Sequence, residues 1–126
     1  MTSSKRELMD GKTIRYTYSG GLAFEVRFCG GLASYKALVD SGSVSNENSD
    51  IPYQSREIRP GLIHTIWHED SIGDVVSLVI DLDARKIYSA ALLGYAADDR
   101  MLHFEDGVIE SVETDRRVPP SGQTGS

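Results

Sequence analysis

The chain has 126 residues, 40% hydrophobic and 25% charged, with a net charge of −6, enough for one domain with a core of its own. The acidic balance argues against nucleic acid as a partner, because neutralising phosphates needs a basic face. No apolar run approaches membrane-spanning length, so no membrane partner is expected.

Met1 to Arg6 is followed by no apolar stretch, so no secretory leader is expected and a cytoplasmic location is the default. Glu7 to Gly11 has room for one helical turn. Extended, alternating segments then dominate. From Thr13 to Tyr18, Ile14, Tyr16 and Tyr18 share one face, and after the Gly20-Gly21 turn Leu22, Phe24, Val26 and Phe28 do the same. This pattern predicts a β-hairpin with one apolar and one wet face. The lone Cys29 has no partner for an internal disulfide and is expected as a small buried hydrophobe.

Gly30-Gly31 breaks the strand, and Ser34 to Val39 reads as a third. Asp40 to Pro52, rich in Ser, Asn and Asp, is expected as a surface loop or a lid over a pocket. Tyr53 to Ile58 and Leu62 to Glu69 read as strands around the Arg59-Pro60-Gly61 turn. In the second of them Ile63, Thr65, Trp67 and Glu69 share a face. Val75 to Leu82 and Ile87 to Leu93 form the next hairpin. Short strands at Met101 to Glu105 and Val108 to Val112 are expected on either side of an Asp106-Gly107 turn. From Thr114 the composition is that of a disordered tail, which leaves one barrel domain over 1–113 and a tail over 114–126.

The fold class expected is therefore all-β: a small antiparallel up-and-down barrel of about eight to nine strands, closed so that no edge is exposed, with an internal cavity for one small ligand. Tyr16 and Tyr18 project two phenols to one side, where they either pack the wall or grip a carboxylate or phenolate. Glu69 follows Trp67 on its face. It is either a carboxylate beside apolar walls, suited to moving a proton, or a solvated residue at a strand end. His64 and His68 lack a third ligand, so no metal site is expected. No serine sits in a nucleophile motif.

Tyr16-Thr17-Tyr18-Ser19-Gly20-Gly21-Leu22-Ala23-Phe24-Glu25 is similar to the first hairpin of the bacterial phenolic acid decarboxylases. Gly61 to Glu69 with Asp74-Val75 resembles that family's glycine, strand, Trp-x-Glu and Asp-Val. The run Arg56-Glu57-Ile58-Arg59-Pro60-Gly61 is closer to the MoaF-like proteins, and the two are taken to share a lipocalin-like (calycin) barrel. Together the resemblance covers roughly Leu8 to Val112.

The resemblance implies a cofactor-free, acid–base lyase, isomerase or cyclase, in which Tyr16, Tyr18 and Glu69 are catalytic. Phe24, Phe28, Tyr35 and Trp67 would line the cavity of a hydroxyaryl or enone-like substrate. It also implies a homodimer. In the decarboxylases the cavity binds a para-hydroxycinnamate, which loses carbon dioxide through a quinone methide. The decarboxylase arginine has no counterpart, because Cys29 to Gln54 holds no arginine and Lys36 is its one basic residue. Lysine does not reproduce a bidentate guanidinium. Two other readings stand beside the enzyme: a non-catalytic barrel that binds a small ligand, and a packed barrel that acts through an interface such as the His64/His68 face.

Overall fold

The computed structural model describes residues 8–38 and 47–114. Eight antiparallel strands close into a barrel in chain order: β1 (Lys12–Tyr18), β2 (Ala23–Cys29), β3 (Leu32–Leu38), β4 (Glu47–Arg59), β5 (Leu62–Glu69), β6 (Asp74–Asp81), β7 (Lys86–Leu93) and β8 (Met101–Thr114). Each strand pairs with its sequence neighbours, and β8 returns to β1, from Lys12 against Thr114 to Tyr18 against Gly107. Closure gives each of the eight described strands a neighbour on both sides, so none lies open along its whole length to recruit another strand.

Period-2 alternation sets the wall. Ile14, Tyr16 and Tyr18 of β1 are buried between exposed or half-buried neighbours, as are Ile63, Thr65, Trp67 and Glu69 of β5. The turns follow their residues. Gly30 and Gly31, both at positive φ (61° and 80°), form a two-residue link between Cys29 and Leu32, a backbone shape that side chains resist.

One end of the barrel is packed shut. Met9, Ile14, Phe28, Leu78, Ile80 and Ile87 are almost wholly buried there, each contributing about 1.5–3 kcal/mol of apolar transfer free energy. The turn at Leu8–Gly11 seals this end: Leu8 N donates to Ser55 Oγ (2.9 Å), Tyr53 Oη donates to Asp10 Oδ1 (2.7 Å), and Gly31 N donates to the Asp10 carboxylate (3.0 Å).

Four expectations are corrected. Met101 to Val112 is one strand, not two, because β8 runs on through Gly107 instead of turning back; its first half pairs with β7 and its second with β1. Glu47 to Pro52 belongs to β4 rather than to a loop, since pairing with β3 outweighs its polar composition. Cys29 is exposed, because parity points it outward from the strand that points Phe28 in. The Glu7–Gly11 segment, described from Leu8, is a turn closed by Lys12 N donating to Met9 O (3.0 Å). The remainder of the expected lid (40–46) and the tail from 115 lie outside the described residues; Thr114 itself ends β8.

Candidate functional site

The opposite end of the barrel gathers most of the side chains that the sequence singled out. Strand parity brings Tyr16, Tyr18, Phe24, Tyr35, Trp67 and Glu69 to the interior, where the rings touch in series. Tyr16 and Tyr18 meet edge-on at 5.1 Å between centroids, both contact Phe24, Phe24 contacts Tyr35, and Tyr35 stacks on Trp67 at 6.1 Å. Phe28 lies deeper, in the closed end, packed on Tyr53 (4.8 Å) and behind Trp67.

Glu69 is 3% exposed and points inward, so it is not a solvated strand end. Its Oε1 accepts from Tyr35 Oη (2.7 Å) and Asn48 Nδ2 (3.0 Å), and its Oε2 accepts from Trp67 Nε1 (2.8 Å). A carboxylate offers about four acceptor positions. Three are filled here, and one on Oε2 remains.

The inward positions at this end are only partly covered. Phe24, Tyr35, Asn48, Val76, Ala91, His103 and Glu105 are half-buried, in contrast to the closed end. This is a mouth. His103 Nε2 stands 3.5 Å from Glu105 Oε2. Register places Glu105 opposite Ser89 and His103 opposite Ala91, so both face the interior with Tyr18. Asp74, paired with Glu69, accepts from Gly94 N (2.8 Å) and ties down the β7–β8 connection.

Burial, reinforced by the neighbouring Tyr18 and Tyr35, raises the Tyr16 phenol well above its ordinary value. Burial also raises Tyr18, with Glu105 adding to it against the opposing contacts of Ser89 and Tyr16. Tyr35 is raised by burial and by its hydrogen bond to Glu69. All three therefore stay neutral hydrogen-bonding groups through the physiological range.

These shifts have a stability consequence. A phenol whose folded pKa is raised contributes stability that is intact below about pH 10, the unfolded value, and is lost as pH rises further. In that window the unfolded chain gives up protons that the folded chain keeps, so Tyr16 and Tyr18 each remove at most about 1.4 kcal/mol per pH unit. Urea midpoints are expected to fall steeply between about pH 10 and pH 11 and less steeply in Tyr16→Phe. A midpoint flat across that interval would contradict the burial of these hydroxyls.

Lys36 is exposed, and register sets it beside Glu25 on the outer surface, so it does not supply the missing arginine. His64 and His68 also face outward: His64 contacts Arg56 and Ser77, and His68 contacts Tyr95. No group of three or more His, Cys, Asp or Glu placed to hold a metal ion occurs among the described residues. No described helix is long and apolar enough to cross a membrane. A cleft of about 470 Å³ lies among Gly11, Thr13, Arg27, Asp50 and Glu113, reaching from β1 and β8 to β4, and one of about 430 Å³ lies on the outer surface of β2–β4 between Glu25, Lys36 and Glu47.

The sequence reading missed Asn48, Ser89, His103 and Glu105. Counting alternate positions back from Ala91 and Ile109 would have found the last three. Asn48 was out of reach, because a register shift between Ala33 and Tyr35 brings it beside Glu69.

Eight antiparallel strands closed around an aromatic interior, packed at one end and polar at the other, define a small barrel consistent with the calycin type. The chain belongs to the MoaF-like family, whose pattern it matches over residues 10–109. No curated protein matches the chain. Among solved structures it is similar to a candidate beta-lactamase from Burkholderia vietnamiensis, with a TM-score of 0.68 and 16% identity over 88% of this chain and 99% of that one. At that identity the likeness is one of fold alone.

Proposed function

We propose that this barrel binds a small organic molecule at its mouth and releases it unchanged. The observation that carries the reading is the engagement of Glu69. A general base has to face and follow the proton it removes, whereas this carboxylate is fixed in place, three of its four acceptor positions being committed to Tyr35, Asn48 and Trp67. It acts as the anchor of a rigid polar rim. The half-buried faces of Phe24 and Tyr35 supply apolar contact, and the neutral hydroxyl of Tyr18 supplies a donor, the Tyr35 proton being held by Glu69.

A second reading, a cofactor-free lyase or isomerase on a hydroxyaryl or enone-like substrate, draws on the adjacent Tyr16 and Tyr18 phenols. Two neutral donors side by side can stabilise developing oxyanion charge. Calorimetric titration with neutral phenols and enones, followed by mass spectrometry of the recovered ligand, separates the two. Binding with unchanged ligand is expected. Product that accumulates with wild-type protein and disappears with Tyr18→Phe would establish the enzyme instead.

The same proposal covers setting and assembly: a cytoplasmic protein without nucleic-acid partners. A homodimer would use the outer surface of β7–β8, where Leu102 and Phe104 are 79% and 82% exposed.

A further inference from the structure

We infer that the first part of β8, residues 101–105, is the junction of a two-fold dimer, where it pairs antiparallel with the same segment of a second copy of this chain. This deepens the reading of the β7–β8 surface as a homodimer contact and rests on it.

The long strand β8 changes neighbours along its length. β7 runs beside it from Met101 to Val108, whereas β1 reaches only as far as Gly107. On the β1 side the last backbone contact is Ser19 N donating to Asp106 O (2.9 Å). Backbone groups alternate sides along a strand, so the N–H and C=O of Phe104 and Leu102 point the same way as the Asp106 carbonyl. They have no partner among the described residues. The side chains of these two residues are also the most exposed large apolar ones described. One segment thus combines an open ladder with bare apolar side chains, the two properties that strand addition uses.

The other long overhangs of the barrel are guarded by charge or proline, which discourage pairing. Residues 47–52 of β4 have β3 but not β5 beside them, and hold Asp50 at φ 59° and Pro52. Residues 54–59 have β5 but not β3, and hold Arg56, Glu57 and Arg59. Residues 110–114 of β8 have β1 but not β7, and hold Glu110 and Glu113. In 101–105 the polar side chains, His103 and Glu105, face inward to each other, and apolar residues stand at the open groups.

A second copy is the occupant that this segment fits. In an antiparallel two-fold arrangement centred on His103, Leu102 of each copy faces Phe104 of the other, joined by about four backbone hydrogen bonds. Apolar cross-strand pairs of this kind stabilise a ladder. Further out, Arg100 of each copy faces Asp106 of the other. Both are exposed, and neither is in an ion pair among the described residues. Sliding the register by two residues one way sets Phe104 against Arg100 and Asp106 against Asp98; the other way sets Leu102 against Asp106. Complementarity of shape and charge therefore selects one register.

The test is sedimentation of the full chain from about 50 μM to about 1 mM, with amide hydrogen exchange read residue by residue. A junction this short buries less than the roughly 1,200 Å² of standard interfaces, so half-dissociation is expected on the order of 100 μM. Exchange of the Leu102 and Phe104 amides should then be about threefold slower at the top of that range than at the bottom. Phe104→Ala should weaken the dimer about tenfold, and Phe104→Pro about a hundredfold, because proline also removes an N–H from the junction. Proline at an open edge is compatible with the fold, and the near-UV signal of Trp67 checks that it is kept. Arg100→Asp or Asp106→Arg alone should weaken the dimer several-fold, and the double swap should restore it.

A dimer whose Leu102 and Phe104 amides exchange at unstructured-chain rates, or that Phe104→Ala and Phe104→Pro weaken equally, would overturn the junction and leave a dimer through the outer face standing. A monomer throughout the range would overturn both. Protected amides in such a monomer would overturn the junction in favour of the chain covering its own edge.

Discussion

Gly107→Ala is expected to lower the unfolding free energy by about 3 kcal/mol, a large share of the stability of a domain this size. Gly107 sits where β8 changes partners, opposite Ile87 on one side and Tyr18 on the other. A methyl group there would lie 2.9 Å from both the Thr17 carbonyl carbon and Tyr18 Cα, and closer still to the Thr17 carbonyl oxygen. Every one of those atoms is backbone, held by the β1–β8 ladder, so none can swing away. The chain must either open the seam that closes the barrel or tilt β8 off its register. A glycine inside a strand marks such an approach.

Gly20→Ala is the matched control. Its methyl group would meet only the end of the flexible Glu105 side chain, at 3.2 Å, and the expected change is within about 0.5 kcal/mol. Urea unfolding followed through Trp67, the single tryptophan, reads both variants. Equal midpoints for the two would mean that the seam at Gly107 is loose.

Glu69→Ala is expected to cost about 3–4 kcal/mol and Glu69→Gln about 2 kcal/mol. Alanine strips the acceptors from Tyr35 Oη, Asn48 Nδ2 and Trp67 Nε1 together. Each orphaned donor costs about 1–3 kcal/mol, reduced here where water can enter the mouth. Glutamine fails for a different reason. It keeps one oxygen, and with that oxygen placed to receive Tyr35 and Asn48 its amide hydrogens face the indole N–H that now donates at 2.8 Å.

Flipping the amide satisfies Trp67 and strands the other two. Tyr35→Phe removes a single donor and should cost about 1 kcal/mol. The order Ala, Gln, Phe in urea midpoints, with a changed near-UV signal from Trp67, is the expected result. A Glu69→Gln protein as stable as wild type would mean that the three hydrogen bonds do not form in solution. Because Glu69 holds the rim together, loss of function in its variants has to be weighed against loss of structure, which makes Tyr18→Phe the cleaner probe of chemistry.

How much of this was legible in the sequence depends on the range of each interaction. The face shared by Ile63, Thr65, Trp67 and Glu69, and that shared by Ile14, Tyr16 and Tyr18, follow from alternation along one strand and were readable directly. The errors came where composition was weighed above pairing. Glu47 to Pro52 has the residues of a loop, yet it is held as strand by its pairing with β3. Asp106-Gly107 has the residues of a hairpin turn, yet it carries an uninterrupted strand across a seam. Cys29 was read from the habits of free cysteines, when its place next to Phe28 already pointed it outward.

The sequence by itself determined the all-β class, the inward face of nearly every strand, and the presence of paired phenols and a Trp-x-Glu carboxylate on such faces. Those are properties of a period of two, written in neighbouring residues. Only the tertiary structure decided that Glu69 would be anchored by Tyr35 and Asn48, 34 and 21 residues away in the chain. It also decided that Glu105 and His103 would share the mouth with Tyr18. Such neighbours are set by how far the strands slide as the barrel closes and by register shifts at Ala33/Tyr35 and Arg15/Tyr16. That offset arises between strands.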